Sequence, residues 1–291
     1  MKKTGWALYP KSTLNNKNQA FNWLEEEARK YDIDLQVFFF EDILIPAGTK
    51  DACLCAGKLR QLPDFVLMRG YESIISVYFE VRGIPVFNTN ESMVISRNKM
   101  LSHLHLSCAD IPTPHTVYLS GAAYDYEHLC SLFGNKKFII KNIEGSKGEN
   151  VYLVNSGVEM KEVLEKEGER CLAQEYIETS RGKDIRVWVI GGEIAASVMR
   201  HSDTSFKSNY SLGGRVAPFE MNREVGDIAV RAARAIGLDF AGVDILFAGS
   251  SYTVCEINGN AGFRTLSCLP QKTNLPAHLF RYILSLIHIS E

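Results

Sequence analysis

Residues Ala241–Asn260 read AGVDILFAGSSYTVCEINGN, which is two apolar strands joined by a Gly-Ser turn. Glu256 and Asn258 are two residues apart on the second strand, so they point to the same face. Asp244 lies on the first strand, where a carboxylate is costly unless a cationic group meets it. Carboxylate and amide oxygens suit Mg²⁺ or Mn²⁺. The stretch therefore indicates either a metal site or a surface hairpin with one wet, polar face.

The metal interpretation sets a condition on the register of this hairpin. Facing residues of an antiparallel pair have a constant index sum. Asp244 shares a face with Glu256 only if the loop within Phe247–Thr253 has three or five residues, or if a β-bulge intervenes. A loop of two or four residues without a bulge would separate the two carboxylates.

Composition excludes several classes of protein. The length of 291 residues suits two domains or one large elaborated domain, and 46% hydrophobic residues can form a large core. A net charge of −2 is not typical of nucleic-acid-binding proteins. No apolar run approaches the roughly 20 residues of a membrane span. Seven scattered cysteines and no signal peptide predict reduced thiols in the cytoplasm. We interpret the histidines as structural or surface residues.

The order of predicted elements divides the chain into segments. Alternating strands and helices over residues 1–90 predict a parallel α/β domain. Residues 91–114 form a predicted linker helix that ends near Pro112 and Pro114. Residues 115–179 and 180–283 are predicted as two α+β units. Residues 284–291, LSLIHISE, resemble a translated sequencing adapter, so we interpret them as a non-native tail without fold information; a short native tail is the alternative.

Two segments contain lysines with possible phosphate roles. Lys141 ends a predicted strand and precedes a Gly-rich loop that contains Gly145 and Gly148. Such a loop can turn several backbone N–H groups toward an anion, although a plain hairpin turn is an equal alternative. Because the lysine precedes the glycines, this is not a Walker loop. Lys99 lies on a predicted helix and, taken alone, is most simply a solvent-exposed lysine.

Further along the chain, polar residues end two predicted strands and begin a third. Gln174–Ile177 could offer backbone groups to a purine edge, or could be an ordinary buried strand end. Asp184 and Arg186 share one face and could simply pair with each other. Arg200 and Lys207 could neutralise a phosphate or a carboxylate, with a salt bridge and a solvated loop as the alternatives.

Taken in order, these segments resemble the ATP-grasp superfamily and, within it, the RimK-type glutamate ligases. The matching blocks are Asn88, Ser96-Arg97-x-Lys99, Phe138-Ile-Ile-Lys141, Gly145-Ser-x-Gly148, Gln174-Glu-Tyr-Ile177, Asp184-x-Arg186, Arg200, Asn209-x-x-x-Gly213-Gly214, Ala241-Gly-Val-Asp244 and Glu256-x-Asn258. The resemblance covers roughly Asp64–Gly262, and the order of the blocks is specific although no single block is.

The resemblance implies a fold and a reaction. An N-terminal parallel α/β domain would be followed by an ATP-grasp fold of two α+β lobes that bind ATP between them. A carboxylate would be phosphorylated to an acylphosphate, which an amine attacks to form an amide, with glutamate or another amino acid added to a peptide, protein or small molecule. The partners would be these two substrates, without nucleic acid or membrane, and a homo-oligomer stays open.

The resemblance also implies roles for individual residues. Lys99 and Lys141 would hold the ATP phosphates under the loop of Gly145, Ser146 and Gly148; Gln174, Glu175, Tyr176, Ile177, Glu178 and Asp184 would contact the rest of the nucleotide; Asp244, Glu256 and Asn258 would bind one or two Mg²⁺ or Mn²⁺ ions; Arg200, Asn209 and Lys141 would be catalytic; Arg69 and Arg264 would bind substrate carboxylates.

Three departures from the family pattern are visible. Asn98 stands where the family often has Asp, the acidic residue near the ribose is shifted to Glu178, and Asn260-Ala261-Gly262 replaces a small-Pro-Gly sequence. Two other functions stay open: an inactive ATP-binding regulatory module, and a ligase that macrocyclises peptides. The retained metal residues and Arg200 favour an enzyme over a module that only binds nucleotide.

Overall fold

A computed structural model describes residues 2–16, 18–48, 52–55, 57–120, 125–145, 150–168, 170–208, 214–262 and 273–289. The strands within these ranges are β1 (Lys3–Tyr9), β2 (Ile33–Phe39), β3 (Ile43–Leu44), β4 (Ala52–Cys55), β5 (Lys58–Gln61), β6 (Phe65–Met68), β7 (Val86–Phe87), β8 (Thr116–Leu119), β9 (Phe138–Asn142), β10 (Val151–Val154), β11 (Cys171–Glu175), β12 (Lys183–Ile190), β13 (Glu193–His201), β14 (Arg215–Pro218), β15 (Phe240–Ala248) and β16 (Ser251–Asn258). The helices are α1 (Asn18–Arg29), α2 (Ser73–Glu80), α3 (Asn90–Arg97), α4 (Lys99–Cys108), α5 (Tyr126–Phe133), α6 (Gly157–Glu167), α7 (Arg223–Ile236) and α8 (Leu275–Ile289).

The first ninety residues contain a parallel sheet with the strand order β2-β1-β6-β7. Trp6 and Leu8 point into one apolar cluster and Ala7 and Tyr9 into another, so the central strand is covered on both faces, as parallel strands usually are. The predicted α/β domain is confirmed. A small antiparallel sheet, β3-β4-β5, was not predicted.

The predicted linker helix is wrong in one respect, because it is two helices that meet at Asn98. The backbone of Asn98 is extended, and its Oδ1 accepts hydrogen bonds from the N–H groups of Met100 and Leu101 at 3.0 and 3.1 Å. A side-chain oxygen in this position satisfies the free N–H groups at a helix start. The break places Lys99 at the first turn of α4.

The central lobe is an antiparallel sheet in the order β10-β9-β11-β8, covered on one face by α5 and α6. On β9, Phe138 and Ile140 pack with the helical residues Leu129 and Met160. The alternate residue Lys141 must then face the other side of the sheet. Strand alternation therefore aims this lysine at the cleft described below.

The C-terminal lobe is a five-stranded antiparallel sheet in the order β14-β13-β12-β15-β16. Helix α7 covers one face, where Val225 and Ala229 pack against Val187 and Val243. The charged residues of β12 and β15 alternate with these valines and lie on the opposite face.

The C-terminal helix α8 returns to the N-terminal sheet and packs on α1. Leu279, Phe280 and Ile283 share one core with Phe21 of α1. Helix α8 continues to Ile289, and Ile287 is only 6% exposed, so part of segment 284–291 packs on the fold. The interpretation of residues 284–291 as a non-native tail stays a prediction. None of the helices in the described ranges is long and apolar enough to cross a membrane.

Candidate active site

A cleft between the central and C-terminal sheets encloses about 830 Å³ of space, counted out to its open mouth. Ligand sites are usually clefts lined by apolar side chains and a few polar groups, and this cleft has both kinds of lining. The lining brings together the following residues that were predicted for the site: Lys99, Lys141, Gly145, Gln174, Glu175, Tyr176, Ile177, Asp184, Asp244 and Glu256.

The hairpin of β15 and β16 satisfies the condition set by its sequence. Ala248 pairs with Ser251 around a two-residue turn, but the register shifts by one between Asp244 and Ile245. The shift is a β-bulge that places Asp244 opposite Glu256. The bulge also turns the extra residue, Cys255, toward the cleft that both carboxylates line.

Two aspartates and two arginines form a buried ion-pair network on the face of the C-terminal sheet that lines the cleft. Asp184 is paired in register with Arg200, and Arg186 with Asp244. Asp184 and Arg186 therefore do not pair with each other; each bonds to the residue opposite it on the neighbouring strand. Arg200 Nη2 also lies 2.9 Å from Asp244 Oδ1.

The network favours the charged forms of Asp244 and Arg200 despite their burial, whereas burial raises the pKa of Asp184. Burial alone would raise the pKa of Asp244, yet the guanidinium groups of Arg186 and Arg200 hold that pKa below its usual range. Burial works against the charged form of Arg200, but Asp244 and Asp184 raise the pKa of its guanidinium. Arg200 is only 4% exposed and bonds to both aspartates, so the predicted catalytic arginine lies directly against a predicted metal ligand.

Lys99 and Lys141 approach the cleft from the opposite side. They are 8% and 7% exposed, so the reading of Lys99 as a solvent-exposed helix lysine is wrong. Lys99 Nζ donates to the carbonyl of Gly145 at 3.0 Å, and Lys141 Nζ donates to Gln174 Oε1 at 2.6 Å. Burial lowers the pKa of Lys99, the charge of Glu256 opposes that shift, and Lys141 adds to it. Two ammonium groups that line the same cleft favour a polyanionic ligand.

One end of the cleft is apolar. Tyr176 and Ile177 follow β11, and Ile139 and Leu246 extend from the two facing sheets. The hydroxyl of Tyr176 is buried and has no hydrogen-bond partner among the described residues. Ile139 and Leu246 were not predicted, although each lies two residues from a predicted one on the same strand face, Lys141 and Asp244. The period of two would have found them.

Some predicted residues lie elsewhere or were not described. Glu178 does not line the cleft; it is 54% exposed and lies 3.7 Å from Lys137 Nζ, so the position expected near a ribose is not supported. Arg69 donates to the carbonyl of Ala261 at 3.3 Å and lies 5.5 Å from the Phe240 ring centre. Ser146, Gly148, Asn209 and Arg264 lie outside the described residues.

Sequence reasoning missed other residues of the lining. Lys183, Phe206 and Cys255 line the cleft, and the ring of Phe206 lies 6.4 Å from that of Tyr176. Lys207, considered as an anion-neutralising residue, also lines the cleft, and burial lowers its pKa. Phe206 lies in a connection with no periodic pattern, so no sequence signal would have found it.

The donor set fits a hard divalent cation. Asp244 accepts three contacts from the two arginines, whereas a carboxylate has about four acceptor sites. Glu256 lines the cleft, and no hydrogen bond joins its carboxylate to a described residue. Asn258 lies on the same strand face and is half-buried. The described residues contain no cluster of three or more His, Cys, Asp or Glu side chains, so the ion would need ligands from its anionic partner.

Comparison with known sequences identifies the family. The profile of the RimK-like ATP-grasp domain matches residues 96–283. The chain belongs to the RimK-like ATP-grasp family. It is therefore an ATP-grasp carboxylate–amine ligase, as the order of its motifs predicts. A protein of Legionella pneumophila (strain Corby), named a probable alpha-L-glutamate ligase, is 31% identical over 217 residues, covering 73% of this chain and 71% of its own. One of Alkalilimnicola ehrlichii with the same name is 33% identical over 198 residues, covering 66% and 65%.

Solved structures of ATP-grasp ligases share the fold. The VanG D-Ala:D-Ser ligase from Enterococcus faecalis has a TM-score of 0.78 at 16% identity, with 99% and 100% of the two chains covered. The ATP-grasp ligase PsnB, complexed with a minimal precursor, has a TM-score of 0.71 at 20% identity, with 97% and 99% covered. Another PsnB structure contains Mg and ADP, and ATP with Mg²⁺ is the pairing that ATP-grasp ligases use.

Proposed function

We propose that this ligase binds Mg²⁺-ATP in the cleft and joins L-glutamate, or a similar amino acid, to a carboxylate through an acylphosphate. The observation that carries the proposal is the juxtaposition of two buried lysines with two carboxylates across one cleft. These residues come from α4, β9, β15 and β16, which are far apart in the sequence and meet only in the folded protein. The choice of glutamate as the amino acid rests on the names of the relatives, which are probable alpha-L-glutamate ligases.

The cleft divides into a nucleotide end and a reaction end. The apolar residues Ile139, Tyr176 and Leu246 suit the two faces of a purine ring. Lys99 and Lys141 suit the phosphates, which would extend toward Asp244 and Glu256. Phosphoryl transfer depends on positioning and on neutralising charge rather than on a covalent protein group, which this set of residues matches.

Asp244, Glu256 and Asn258 would hold the Mg²⁺, which supplies charge neutralisation on the phosphates when it is bound. Arg200 is fixed by two aspartates beside this position and can stabilise negative charge that develops on the transferred group. Lys207 lines the same cleft and suits the carboxylate of an acidic substrate. An acylphosphate hydrolyses easily, so the reaction would need water to be kept from this cleft once the substrates are bound.

The experiment is an ADP-release assay with Mg²⁺-ATP and a panel of amino acids and peptides, followed by mass spectrometry of the products. We expect ADP release only when an amine and a carboxylate are both present, with a product mass equal to the two substrates minus water. Binding of Mg²⁺-ATP without release in the presence of any acceptor would instead support the inactive regulatory module. A product that is lighter than one peptide by a single water would indicate macrocyclisation.

A further inference from the structure

Lys141 is held in the cleft by a chain of buried side chains. Its ammonium group donates to Gln174 Oε1 at 2.6 Å, and Gln174 Nε2 lies 2.8 Å from His103 Nε2 and 2.9 Å from Thr116 Oγ1. Gln174 is 2% exposed and His103 is 4% exposed, so water does not compete for these contacts. The nearest neighbours of the lysine are therefore fixed by protein alone.

The chain continues from His103 to the C-terminal lobe. His103 Nδ1 contacts the hydroxyl of Thr113, and that hydroxyl donates to the carbonyl of Val254 at 3.2 Å. Val254 is two residues before Glu256 on β16. The side chains of α4 thus connect the lysine of the central lobe to the strand that contributes the metal carboxylate.

The donors and acceptors of this chain permit one arrangement of protons. An ammonium group can only donate, so the oxygen of the Gln174 amide must face Lys141. The NH₂ of the amide then faces His103 and donates, so His103 Nε2 must be an unprotonated acceptor. The ring proton is on Nδ1, where it is donated to Thr113, whose own proton goes to Val254. Every polar group in the chain has a partner in this arrangement.

The environment favours the neutral imidazole that this arrangement needs. Burial lowers the pKa of His103 to about 3, and the charges of Lys141 and Lys99 add to that shift. A charged imidazole would present a donor to the NH₂ of Gln174 and would turn the amide. The turned amide would then present a donor to Lys141, which repels it.

We infer that His103 is a positioning residue that fixes the amide of Gln174 and, through it, the ammonium group of Lys141. The inference rests on the proposed function, in which Lys141 holds an ATP phosphate. His103 does not line the cleft, so it acts without touching the nucleotide. A shift of about 1 Å in a group that orients a reactant can cost about a hundredfold in rate, so small changes in this chain matter.

The main test compares two substitutions of His103 by calorimetric titration with a non-hydrolysable ATP analogue and Mg²⁺. His103→Met keeps the length but removes the acceptor, and we expect the Kd to rise by up to about tenfold, the upper end of the loss expected for one neutral hydrogen bond. His103→Gln places an amide oxygen near the position of Nε2 and should restore the Kd to within about twofold. His105→Met is the matched control, because His105 is exposed on the same helix.

Steady-state kinetics separate positioning from a purely structural role. We expect His103→Met to raise KM for ATP and to leave KM for the amino acid unchanged. If His103→Met lowers Tm without changing the Kd or KM for ATP, or if His103→Gln fails to restore them, the inference is overturned. Should His103→Met fail to fold, Thr113→Val removes the acceptor of the ring proton with little change of shape; an unchanged Kd in that variant also overturns it.

A second pair of variants distinguishes this inference from the function on which it rests. If Lys141→Met leaves the Kd of the ATP analogue unchanged, the phosphate role of Lys141 fails, whatever His103 does. If Lys141→Met weakens binding and His103→Met does not, the positioning role alone fails. In a Gln174→Leu background, His103→Met should add less than about twofold, because coupled residues are not additive; full additivity would contradict the chain.

Discussion

The two charged walls of the cleft hold their side chains in different ways. In the C-terminal wall, Asp184, Arg186, Arg200 and Asp244 lie on three adjacent strands and pair directly across them. In the central wall, Lys141 is held by a neutral amide that is itself held by a neutral imidazole. The first wall is a closed set of opposite charges, whereas the second leaves the charge of its lysine available to a ligand.

The difference has an energetic consequence. Removing one member of a buried ion pair leaves an uncompensated charge and typically costs about 3–5 kcal/mol. Removing one neutral member of a hydrogen-bonded chain typically costs about 1–3 kcal/mol. We therefore expect substitutions in the C-terminal wall, called the carboxylate wall below, to change mainly the stability of the fold. Substitutions in the central wall, called the lysine wall below, should change mainly the affinity for the ligand.

The largest effect is expected for Asp244→Ala. Its carboxylate is the partner of both Arg186 and Arg200, so its loss should lower the free energy of unfolding by about 3–5 kcal/mol and abolish turnover. The measurement is urea unfolding followed by circular dichroism, beside the ADP-release assay. A stability loss below about 1 kcal/mol would show that the network does not support the fold.

Glu256→Gln is the matched control for Asp244→Ala. Glu256 lines the same cleft, at the proposed metal position, but makes no ion pair with a described residue. We expect the free energy of unfolding to change by less than about 1 kcal/mol, with metal-dependent turnover falling about a hundredfold. Titration with Mn²⁺ should show weaker binding in both variants.

Gly242→Ala tests the carboxylate wall through overpacking beside Arg186, without removing a charged group. A Cβ at this position would lie 2.6 Å from the Cβ of Ala261 and 3.0 Å from Arg186 Nη1, so Ala261 would have to shift and the Arg186 side chain, which pairs with Asp244, would have to move slightly. We expect unfolding at a free energy lower by about 2–3 kcal/mol, the usual cost of overpacking. Gly259→Ala is a useful comparison, since its nearest contact is the flexible end of Met93. Equal losses in both variants would mean that Arg186 is not the group that matters.

We expect the free energy of unfolding to decrease at acid pH, because the lysine wall depends on a neutral His103. The pKa of His103 in the folded protein, about 3, lies below the unfolded value, so the unfolded chain binds more protons at mildly acid pH. The stability that neutral His103 provides is complete above about pH 6.5 and falls by about 1.4 kcal/mol per pH unit below it, or about 2 kcal/mol by pH 5. The measurement is urea unfolding at pH 7 and pH 5 for the parent and for His103→Gln, which should lack this component. The same pH dependence in both proteins would contradict it.

The carboxylate wall could be predicted from the sequence because strands impose a period of two and a fixed register. That rule placed Glu256 and Asn258 on one face and required a bulge or an odd loop for Asp244, and the bulge is present. It also put Asp184 and Arg186 on one face. It did not identify their partners, because the order of strands in a sheet depends on the packing of the whole lobe.

The lysine wall could not be derived in this way. Its members come from β9, β11, α4 and the connection before β8, and no local pattern relates them. His103 was interpreted only as a structural or surface residue, and its contact with Gln174 depends on how α4 packs. Sequence order located Lys99 and Lys141 through resemblance to a family, whereas their burial could be known only from the fold.

The smallest effect is expected for Glu178→Ala, which tests the sequence-based assignment that the structure does not support. The side chain is 54% exposed and its nearest cation is Lys137, at 3.7 Å. An exposed pair of this kind contributes little, so the free energy of unfolding should change by less than about 0.5 kcal/mol and KM for ATP by less than about twofold.

Lys183→Ala is the comparison variant, because Lys183 does line the cleft. If Glu178→Ala raises KM for ATP severalfold and Lys183→Ala does not, the nucleotide end of the cleft follows the family pattern. The opposite result would mean that this chain contacts the ribose end with a cation where its relatives use an acid.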